Sequence, residues 1–375
     1  MKRFISIIFA TIIVIIVSSC SVSAEIIYED CQFDFGKVRL TGFNNRQIEI
    51  AKHLINCEEN FSVDYDKNIK IQDYHNDLFY ANTQNPLSPF VGSLYTTVNQ
   101  NKITYHVKYF INRKNAKEWI PQEYKKAKSI AYKISKQYSS RYDKYQAINK
   151  YLCQNSKFNY KASKYSGVNY LTLNILPVDI QSAYAPYGVL YRGEGVCLSY
   201  AQSFHLICNI LKIPCISVRG TINGQPHIWN RVRINYKWYN IDVSENSVTG
   251  KNVMLFTPSN ISKVYKEDRL YWCPVEQMSN YSAYSIGLEY YYRQGKYMKV
   301  DKIYEYIDNN FFKKKKRPLR ITIRIQGNNS ISKTSKEITD RLGQFLKYKK
   351  KDADIMVSGN VHGVYTIWFD YYDRE

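Results

Sequence analysis

Three residues with reactive side chains follow one another in the middle of the chain. Cys197 begins a helical pattern, His227 stands 30 residues later, and Asp242 stands 15 residues after the histidine. A thiol, an imidazole and a carboxylate are the groups needed for a nucleophile, its general base and the residue that orients the base. These residue types in this order predict a thiol nucleophile with its base and the orienter of that base.

The cysteine is expected in the first turn of a helix. Apolar residues recur at helical spacing from Cys197 to Leu211, and Gly193 and Gly195 frame the turn before the cysteine. Unpaired backbone N–H groups and the helix dipole favour thiolate over thiol in a first turn. The N–H of Cys197 is therefore a natural oxyanion donor, whereas Tyr191 is only a candidate side-chain donor.

The histidine and the aspartate are predicted to share one antiparallel hairpin. Residues 228–234 and 237–243 have the pattern of two strands joined by a two-residue loop. In that register Asp242 faces Trp229 and lies diagonal to His227 on the same face, about 7–8 Å away at the backbone. A slip of one residue would move Asp242 to the opposite face and separate the pair.

Five segments carry these residues and their neighbours. They are Gly195-Val196-Cys197 with Tyr200-Ala201, Ile213-Pro214-Cys215, Gly220, His227-Ile228-Trp229-Asn230-Arg231-Val232, and Trp238-Tyr239-Asn240-Ile241-Asp242. In combination, over about residues 140–245, they resemble the transglutaminase-like superfamily. The resemblance implies an α+β fold with a papain-like core, in which Cys197 is the nucleophile, His227 the base and Asp242 the orienter. It also implies chemistry at an amide or acyl carbonyl, through a thioester. Two positions depart from the family pattern: Tyr236 replaces the usual glycine, and Ile228 replaces a frequent small residue.

Smaller α+β modules are expected on either side of this core. The predicted segments are a signal peptide at 1–24, an N-terminal module at 25–118, a catalytic domain at 119–263 and a C-terminal module at 264–375. The N-terminal module shows a helix at 45–56 and a hairpin of strands 93–98 and 103–111. A helix is predicted to start after Pro121, and the C-terminal module has a βαββ pattern.

The first residues predict export. Lys2 and Arg3 precede the apolar run Phe4–Val17, and small residues lead to Cys20. This is the pattern of a secretory signal, and its ending resembles a bacterial lipobox whose cysteine, Cys20, would be lipidated. Cleavage after Ala24 and retention as an anchor are the alternatives. The favoured prediction is a lipid-anchored protein of the bacterial cell surface.

The charge balance indicates anionic neighbours. With 53 Lys and Arg against 32 Asp and Glu, the formal net charge is +21. For an exported chain this favours an anionic envelope polymer or a membrane surface over nucleic acid, for which no motif is present. The basic clusters Lys313–Arg317 and Lys347–Lys351 could supply the contact, although solvated faces are the simpler interpretation.

No cofactor is predicted. Six cysteines remain besides Cys20 and Cys197, and none forms a C-x-x-C pair, so a zinc site is not expected. Cys31 and Cys57 could form a disulfide, whereas buried free thiols are expected at Cys208 and Cys215.

Two reactions and one non-enzymatic role fit these features. The thioester could be resolved by water or by a second amine, and hydrolysis is slightly favoured because water needs no acceptor site. The expected substrate is a peptide or protein of the envelope. The alternative is a catalytically inactive transglutaminase-like module that binds or scaffolds at the cell surface. The sequence does not indicate an oligomeric state.

Overall fold

The fold mixes helices and strands along the chain and is α+β, as predicted. The computed structural model describes residues 26–28, 38–40, 43–165, 175–235, 237–250, 264–268, 290–314, 320–327, 330–359 and 363–373. The predicted signal segment with Cys20 lies outside these residues, as do Cys31 and Tyr236. Among the described helices, none has the length and apolar content needed to cross a membrane.

The N-terminal part pairs two helices with a three-stranded antiparallel sheet. Its elements are β1 (Ile26–Tyr28), β2 (Val38–Leu40), α1 (Asn45–Ile55), β3 (Asn60–Asp64), α2 (Ile71–Gln84), β4 (Val91–Asn99) and β5 (Lys102–Tyr109). The sheet order is β3-β5-β4, and β1 pairs with β2. A capping box between Asn44 and Gln47 starts α1. The predicted helix and hairpin are confirmed, each within two residues of its predicted bounds.

The central part contains the segment that resembles the papain-like core. Its elements are α3 (Arg113–Gln137), α4 (Arg141–Asn155), β6 (Lys157–Phe158), α5 (Tyr160–Ser163), α6 (Val178–Ser182), a π-helical turn (Gly188–Arg192), β7 (Glu194–Gly195), α7 (Cys197–Ile210), β8 (Cys215–Ile222), β9 (Gln225–Ile234), β10 (Lys237–Ile241), α8 (Val243–Thr249) and β11 (Tyr265–Glu267). The predicted helix at Cys197 and the predicted strand at Cys215 are both present.

Helix α3 starts earlier than predicted. The prediction that a helix begins after Pro121 is wrong, because α3 already includes Pro121. Asn112 accepts a hydrogen bond from the N–H of Lys114 at the helix start, and Trp119 and Ile120 bury their side chains. Pro121 removes one backbone donor, and the apolar packing of the first turns outweighs that loss.

The central sheet has the order β10-β9-β8-β11, and every neighbouring pair is antiparallel. Ile234 pairs with Lys237, which confirms the register predicted for the β9–β10 hairpin. Asn235, in the loop, has the left-handed φ of 49° that two-residue hairpin loops favour. The predicted second strand of 237–243 is too long, because Asp242 leaves the strand and caps α8 by accepting the N–H of Glu245.

One apolar core joins the N-terminal and central parts. A continuous cluster of buried side chains extends from Phe43 to Val243 and includes residues of α1, β5, α3, α4 and α7. The predicted boundary between 118 and 119 falls inside α3. The division of the chain into domains stays a prediction. The same apolar core extends across the predicted boundary between the N-terminal module and the catalytic domain.

The C-terminal part has the predicted βαββ order. Its elements are α9 (Tyr290–Arg293), β12 (Tyr297–Met298), a 3₁₀ turn (Val300–Lys302), α10 (Ile303–Ile307), a π-helical turn (Asp308–Phe312), β13 (Arg320–Ile325), α11 (Ile331–Tyr348), β14 (Lys351–Gly359) and β15 (Val364–Asp373). The sheet order is β12-β13-β15-β14, and isoleucines of β13 pack on α11. Within the basic clusters, Lys349 pairs with Asp308 at 2.9 Å, while residues 315–317 lie outside the described residues.

Candidate active site

Cys197 occupies the first residue of α7, as predicted. Val196 precedes it in an extended conformation, and no side chain caps the start of the helix. Cys197 is partly exposed, whereas the next twelve residues of α7 are buried. The helix therefore fixes the backbone of Cys197 firmly while leaving its side chain accessible. Unpaired N–H groups of a first turn point toward the space where the thiol lies.

The turn before the cysteine requires a residue without a side chain. A Cβ at Gly195 would lie 2.6 Å from Val189 Cγ2 and 2.7 Å from Ser199 Oγ. Ser199 in turn binds the preceding segment, because its hydroxyl accepts the N–H of Val189 and donates to the carbonyl of Ala185. Gly195 thus lets α7, which begins at Cys197, start directly against the π-helical turn.

His227 lies on β9, opposite Gly220 of β8. A Cβ at Gly220 would lie 2.0 Å from the carbonyl oxygen of Lys266, so glycine allows β11 to pack closely beside the histidine strand. The imidazole is only 10% exposed, and its Nε2 lies 2.6 Å from Oδ2 of Asp242. Cys197 lies close enough to act electrostatically on the ring. Because Nε2 faces the aspartate, Nδ1 is the nitrogen left for the thiol.

Asp242 is held at both carboxylate oxygens. Oδ1 accepts hydrogen bonds from the Ser244 hydroxyl at 2.7 Å and from the Glu245 N–H at 3.0 Å. Oδ2 faces His227 and also accepts a hydrogen bond from the Tyr265 hydroxyl at 2.9 Å. The carboxylate is 2% exposed, so these four groups replace the water that would otherwise solvate its charge.

Electrostatic interactions between His227 and Asp242 favour the ionised form of each side chain. Burial by itself would lower the pKa of His227, but the charges of Asp242 and Cys197 and the hydrogen bond to Asp242 raise that pKa well above its usual value. Burial would likewise raise the pKa of Asp242, yet His227 and the donors at Oδ1 hold it well below its usual range. The arrangement can therefore hold an imidazolium beside a sulfur nucleophile.

Neighbouring polar residues fix the strands that carry the pair. Asn230 donates to the carbonyl of Ala201 at 3.1 Å, which joins β9 to the helix of the cysteine. Asn240 Oδ1 accepts hydrogen bonds from Trp229 Nε1 at 2.9 Å and from Arg231 Nε at 3.0 Å, which joins β10 to β9. These hydrogen bonds join the two strands to each other and to α7.

Two tyrosines differ from the sequence expectations. The hydroxyl of Tyr191, considered above as an oxyanion donor, donates to the carbonyl of Gln122 at 2.9 Å and is engaged there. Tyr265, which contacts Asp242, was not identified from the sequence. It belongs to a three-residue strand in a chain with 36 tyrosines, so neither periodicity nor composition distinguishes it.

An apolar cluster borders the cysteine. It contains Phe90 and Phe110 from the N-terminal part together with Ile180, Tyr184 and other central residues, and Cys197 packs against it. The ring centroids of Phe90 and Phe110 are 5.2 Å apart. The N-terminal part therefore contributes directly to the surroundings of the nucleophile.

Comparisons with known proteins agree with the resemblance. Residues 128–243 match the model of the family described as transglutaminase-like superfamily, and this segment holds the cysteine, the histidine and the aspartate. No curated protein matches the chain.

Three solved structures share limited similarity with the chain. A TGase structure is 18% identical, with 52% of this chain and 51% of that chain covered and a TM-score of 0.28. A candidate cysteine protease from Cytophaga hutchinsonii is 15% identical over 40% of this chain and 61% of that chain, with a TM-score of 0.25. A candidate protease from Parabacteroides distasonis is 12% identical over 41% of this chain and 36% of that chain, with a TM-score of 0.23. Each match spans less than two thirds of the other protein's length.

Proposed function

We propose that the transglutaminase-like domain at residues 128–243 is a cysteine-dependent acyl-transfer site with Cys197, His227 and Asp242 as its catalytic triad. The observation that supports this most directly is the enclosed imidazole of His227, whose Nε2 lies 2.6 Å from Oδ2 of Asp242 while Cys197 acts on the ring electrostatically. A nucleophile, a base and an orienting carboxylate arranged in this order are what thiol catalysis at an amide requires.

Acylation follows from this geometry. The thiol proton of Cys197 passes to His227, and the sulfur attacks the carbonyl carbon of a bound amide. The oxygen of the tetrahedral intermediate accepts the backbone N–H of Cys197 at the start of α7. The imidazolium then donates its proton to the nitrogen of the leaving amine. The C–N bond breaks, and the acyl group remains on the sulfur as a thioester.

Deacylation needs an acceptor with a removable proton. His227 takes a proton from water, the hydroxide attacks the thioester, and the carboxylic acid leaves as the thiol reforms. A primary amine in place of water would give a cross-linked amide instead. We favour hydrolysis, because water requires no second binding site beside Cys197.

The substrate and the location are part of the proposal. The signal-like residues before Cys20 support an exported, lipid-anchored protein, and a peptide or protein of the cell envelope is then the substrate class within reach. The formal net charge of +21 supports attachment to an anionic envelope polymer or membrane surface. Fatty-acid labelling of the wild-type chain and of Cys20→Ala, with cell fractionation, tests the anchor.

The test of the chemistry is substitution of the nucleophile. Cys197→Ala removes the sulfur without adding bulk, so it is expected to abolish both amide turnover and labelling by an acyl-enzyme probe directed at thiols. The measurement is release of amine and of carboxylic acid from a mixture of envelope peptides. Incorporation of a labelled primary amine distinguishes cross-linking from hydrolysis.

Cys215→Ala is the matched control. Cys215 is also partly exposed and lies at the start of β8, outside the triad. Its substitution is expected to leave turnover and labelling unchanged. Undiminished turnover in Cys197→Ala would contradict the proposal, and a Cys197 thiol that is never acylated in a folded wild-type protein would favour the inactive binding module.

A further inference from the structure

Tyr265 lies beside the aspartate of the proposed triad but outside the segment that matches the family model. Its hydroxyl donates to Oδ2 of Asp242 at 2.9 Å, the same oxygen that faces His227. The tyrosine ring meets the His227 ring edge-on, with centroids 5.9 Å apart, and the Trp229 ring edge-on at 5.3 Å. Tyr265 therefore covers the histidine–aspartate pair from the side of β11.

The hydroxyl of Tyr265 keeps its proton in this position. Burial is the largest cause that raises its pKa well above the usual value, and the negative charges of Asp242 and Glu245 raise it further. Cys197 also acts in the same direction. Because the hydroxyl stays protonated, it remains a hydrogen-bond donor to the carboxylate over the whole pH range in which the site works.

Oδ1 of Asp242 does not need Tyr265 for its orientation. The Ser244 hydroxyl and the Glu245 N–H already hold that oxygen. Tyr265 donates to Oδ2, where it shares the negative charge with His227. A donor at this oxygen withdraws part of the charge that would otherwise stabilise the imidazolium.

The backbone around Tyr265 is held from two sides. Tyr265 pairs with Ile222 at the edge of the central sheet, and its ring belongs to an apolar cluster that also includes Tyr291 and Val364 of the C-terminal part. The position of the hydroxyl thus depends on both the sheet edge and the C-terminal packing.

We propose that Tyr265 is a positioning residue that moderates the charge of Asp242 and so sets the basicity of His227. The inference rests on the proposed function, because it assigns a role within the same site. Without the hydroxyl, the whole charge of Oδ2 acts on the imidazolium, which holds its proton to higher pH. A more weakly acidic imidazolium is then a poorer proton donor to the leaving amine.

Tyr265→Phe tests this role, since it removes the hydroxyl and keeps the ring. The alkaline limb of the kcat/KM profile is expected to move to higher pH by roughly half a unit to one unit. This is less than the roughly one to two units of a direct hydrogen bond to a charged group, because the hydroxyl acts on His227 through Asp242. We expect kcat to fall by about threefold to tenfold and KM to change little. An unchanged alkaline limb, or one that moves to lower pH, would overturn the assignment.

Tyr145→Phe is the matched control for a lost buried hydroxyl. Tyr145 is also fully buried, and its hydroxyl donates to the carbonyl of Pro214 at 2.6 Å, away from the triad. Both variants lose a buried hydrogen bond, so both are expected to lower the melting temperature. Only Tyr265→Phe is expected to move the pH profile, which separates the proposed role from general destabilisation.

Alkylation by iodoacetate gives a second readout that needs no amide substrate. The imidazolium of His227 attracts the carboxylate of the reagent, so the alkylation rate of Cys197 falls at alkaline pH when His227 loses its proton. Tyr265→Phe is expected to move this fall to higher pH. If no amide is turned over but the fall still moves, the proposed reaction fails and the role of Tyr265 stands. If the wild type turns over amides and the fall does not move, the proposed reaction stands and the role of Tyr265 fails.

Discussion

Two histidines are buried near the same helix and respond to burial in opposite ways. His205 lies on α7, two turns beyond Cys197, and its Nδ1 is 3.0 Å from the hydroxyl of Ser217. Burial lowers its pKa to about 4. The side chain of His227 is 10% exposed, and the charge of Asp242 reverses the effect of its partial burial and raises its pKa well above the usual value. The first is a neutral core residue, and the second can exist as an imidazolium.

The opposite pKa shifts of His205 and His227 indicate that burial alone does not make a histidine reactive. The His205 region joins three elements of the core, because Gln84 forms hydrogen bonds with both the N–H and the carbonyl of Ser217. Each of these partners is neutral, so the histidine is best left uncharged. The His227 region supplies a carboxylate on one side and a partly exposed thiol on the other, so a proton can be held and transferred.

The largest effect is expected from removing the charge that distinguishes the two regions. Asp242→Asn should make the surroundings of His227 resemble those of His205, because a buried imidazole without a carboxylate favours its neutral form. We expect kcat/KM for amide hydrolysis to fall on the order of 10²- to 10³-fold, the range of a lost general-base contribution. Initial rates across pH measure the effect.

Asp179→Asn is the control for that variant. Asp179 stands in the first turn of the short helix α6, whereas Asp242 caps the start of α8, and Asp179 is more exposed and pairs with Lys161 at 3.1 Å. Its substitution is expected to leave kcat/KM within a factor of about two, as for surface ion pairs. Full activity in Asp242→Asn would contradict the proposal that the charge of Asp242 distinguishes His227 from His205.

A smaller effect is expected in the stability of the His205 region. Because the folded pKa is lower than the unfolded one, the unfolded chain takes up a proton first as the pH falls, and the folded state loses relative stability. Between about pH 6.5 and pH 4 this group should lower the free energy of unfolding by about 3 kcal/mol. Above about pH 6.5 His205 is neutral in both states, and this loss of stability is absent.

Comparison with His205→Gln isolates this contribution. Chemical denaturation of the wild type and the variant at several pH values measures the two free energies of unfolding. The difference between them should shrink or change sign as the pH is lowered, because glutamine has no proton to gain. Parallel pH dependence in both proteins would show that His205 does not titrate as the structure indicates.

The smallest effect is expected at the neutral partner of His205. Ser217→Ala removes the hydroxyl and leaves Nδ1 of His205 without that hydrogen bond. The free energy of unfolding at pH 7 should fall by about 1 kcal/mol, the typical net value of one hydrogen bond. Amide turnover should not change, because Ser217 contacts the core side of α7. A large loss of turnover with unchanged stability would contradict this division between core and site.

Much of the central region could be predicted from local pattern. The helix that starts at Cys197, the strand at Cys215 and the β9–β10 register follow from apolar periodicity and from a loop too short to allow another pairing. The start of α3 could not be predicted, because Pro121 is a local signal against a helix and packing outweighs it. The end of β10 was also missed, since Asp242 serves as a helix cap as well as a partner of the histidine.

Local pattern predicts the face of the hairpin on which His227 lies, because side chains alternate strictly along a strand. The protonation of each histidine depends instead on tertiary packing. Burial lowers the pKa of His205, whereas the charge of Asp242 raises that of His227, and the residues that pack beside each histidine are distant in sequence. Tyr265 reaches Asp242 across 23 residues of sequence through sheet pairing. Contacts of this kind arise from packing and have no local pattern in the sequence.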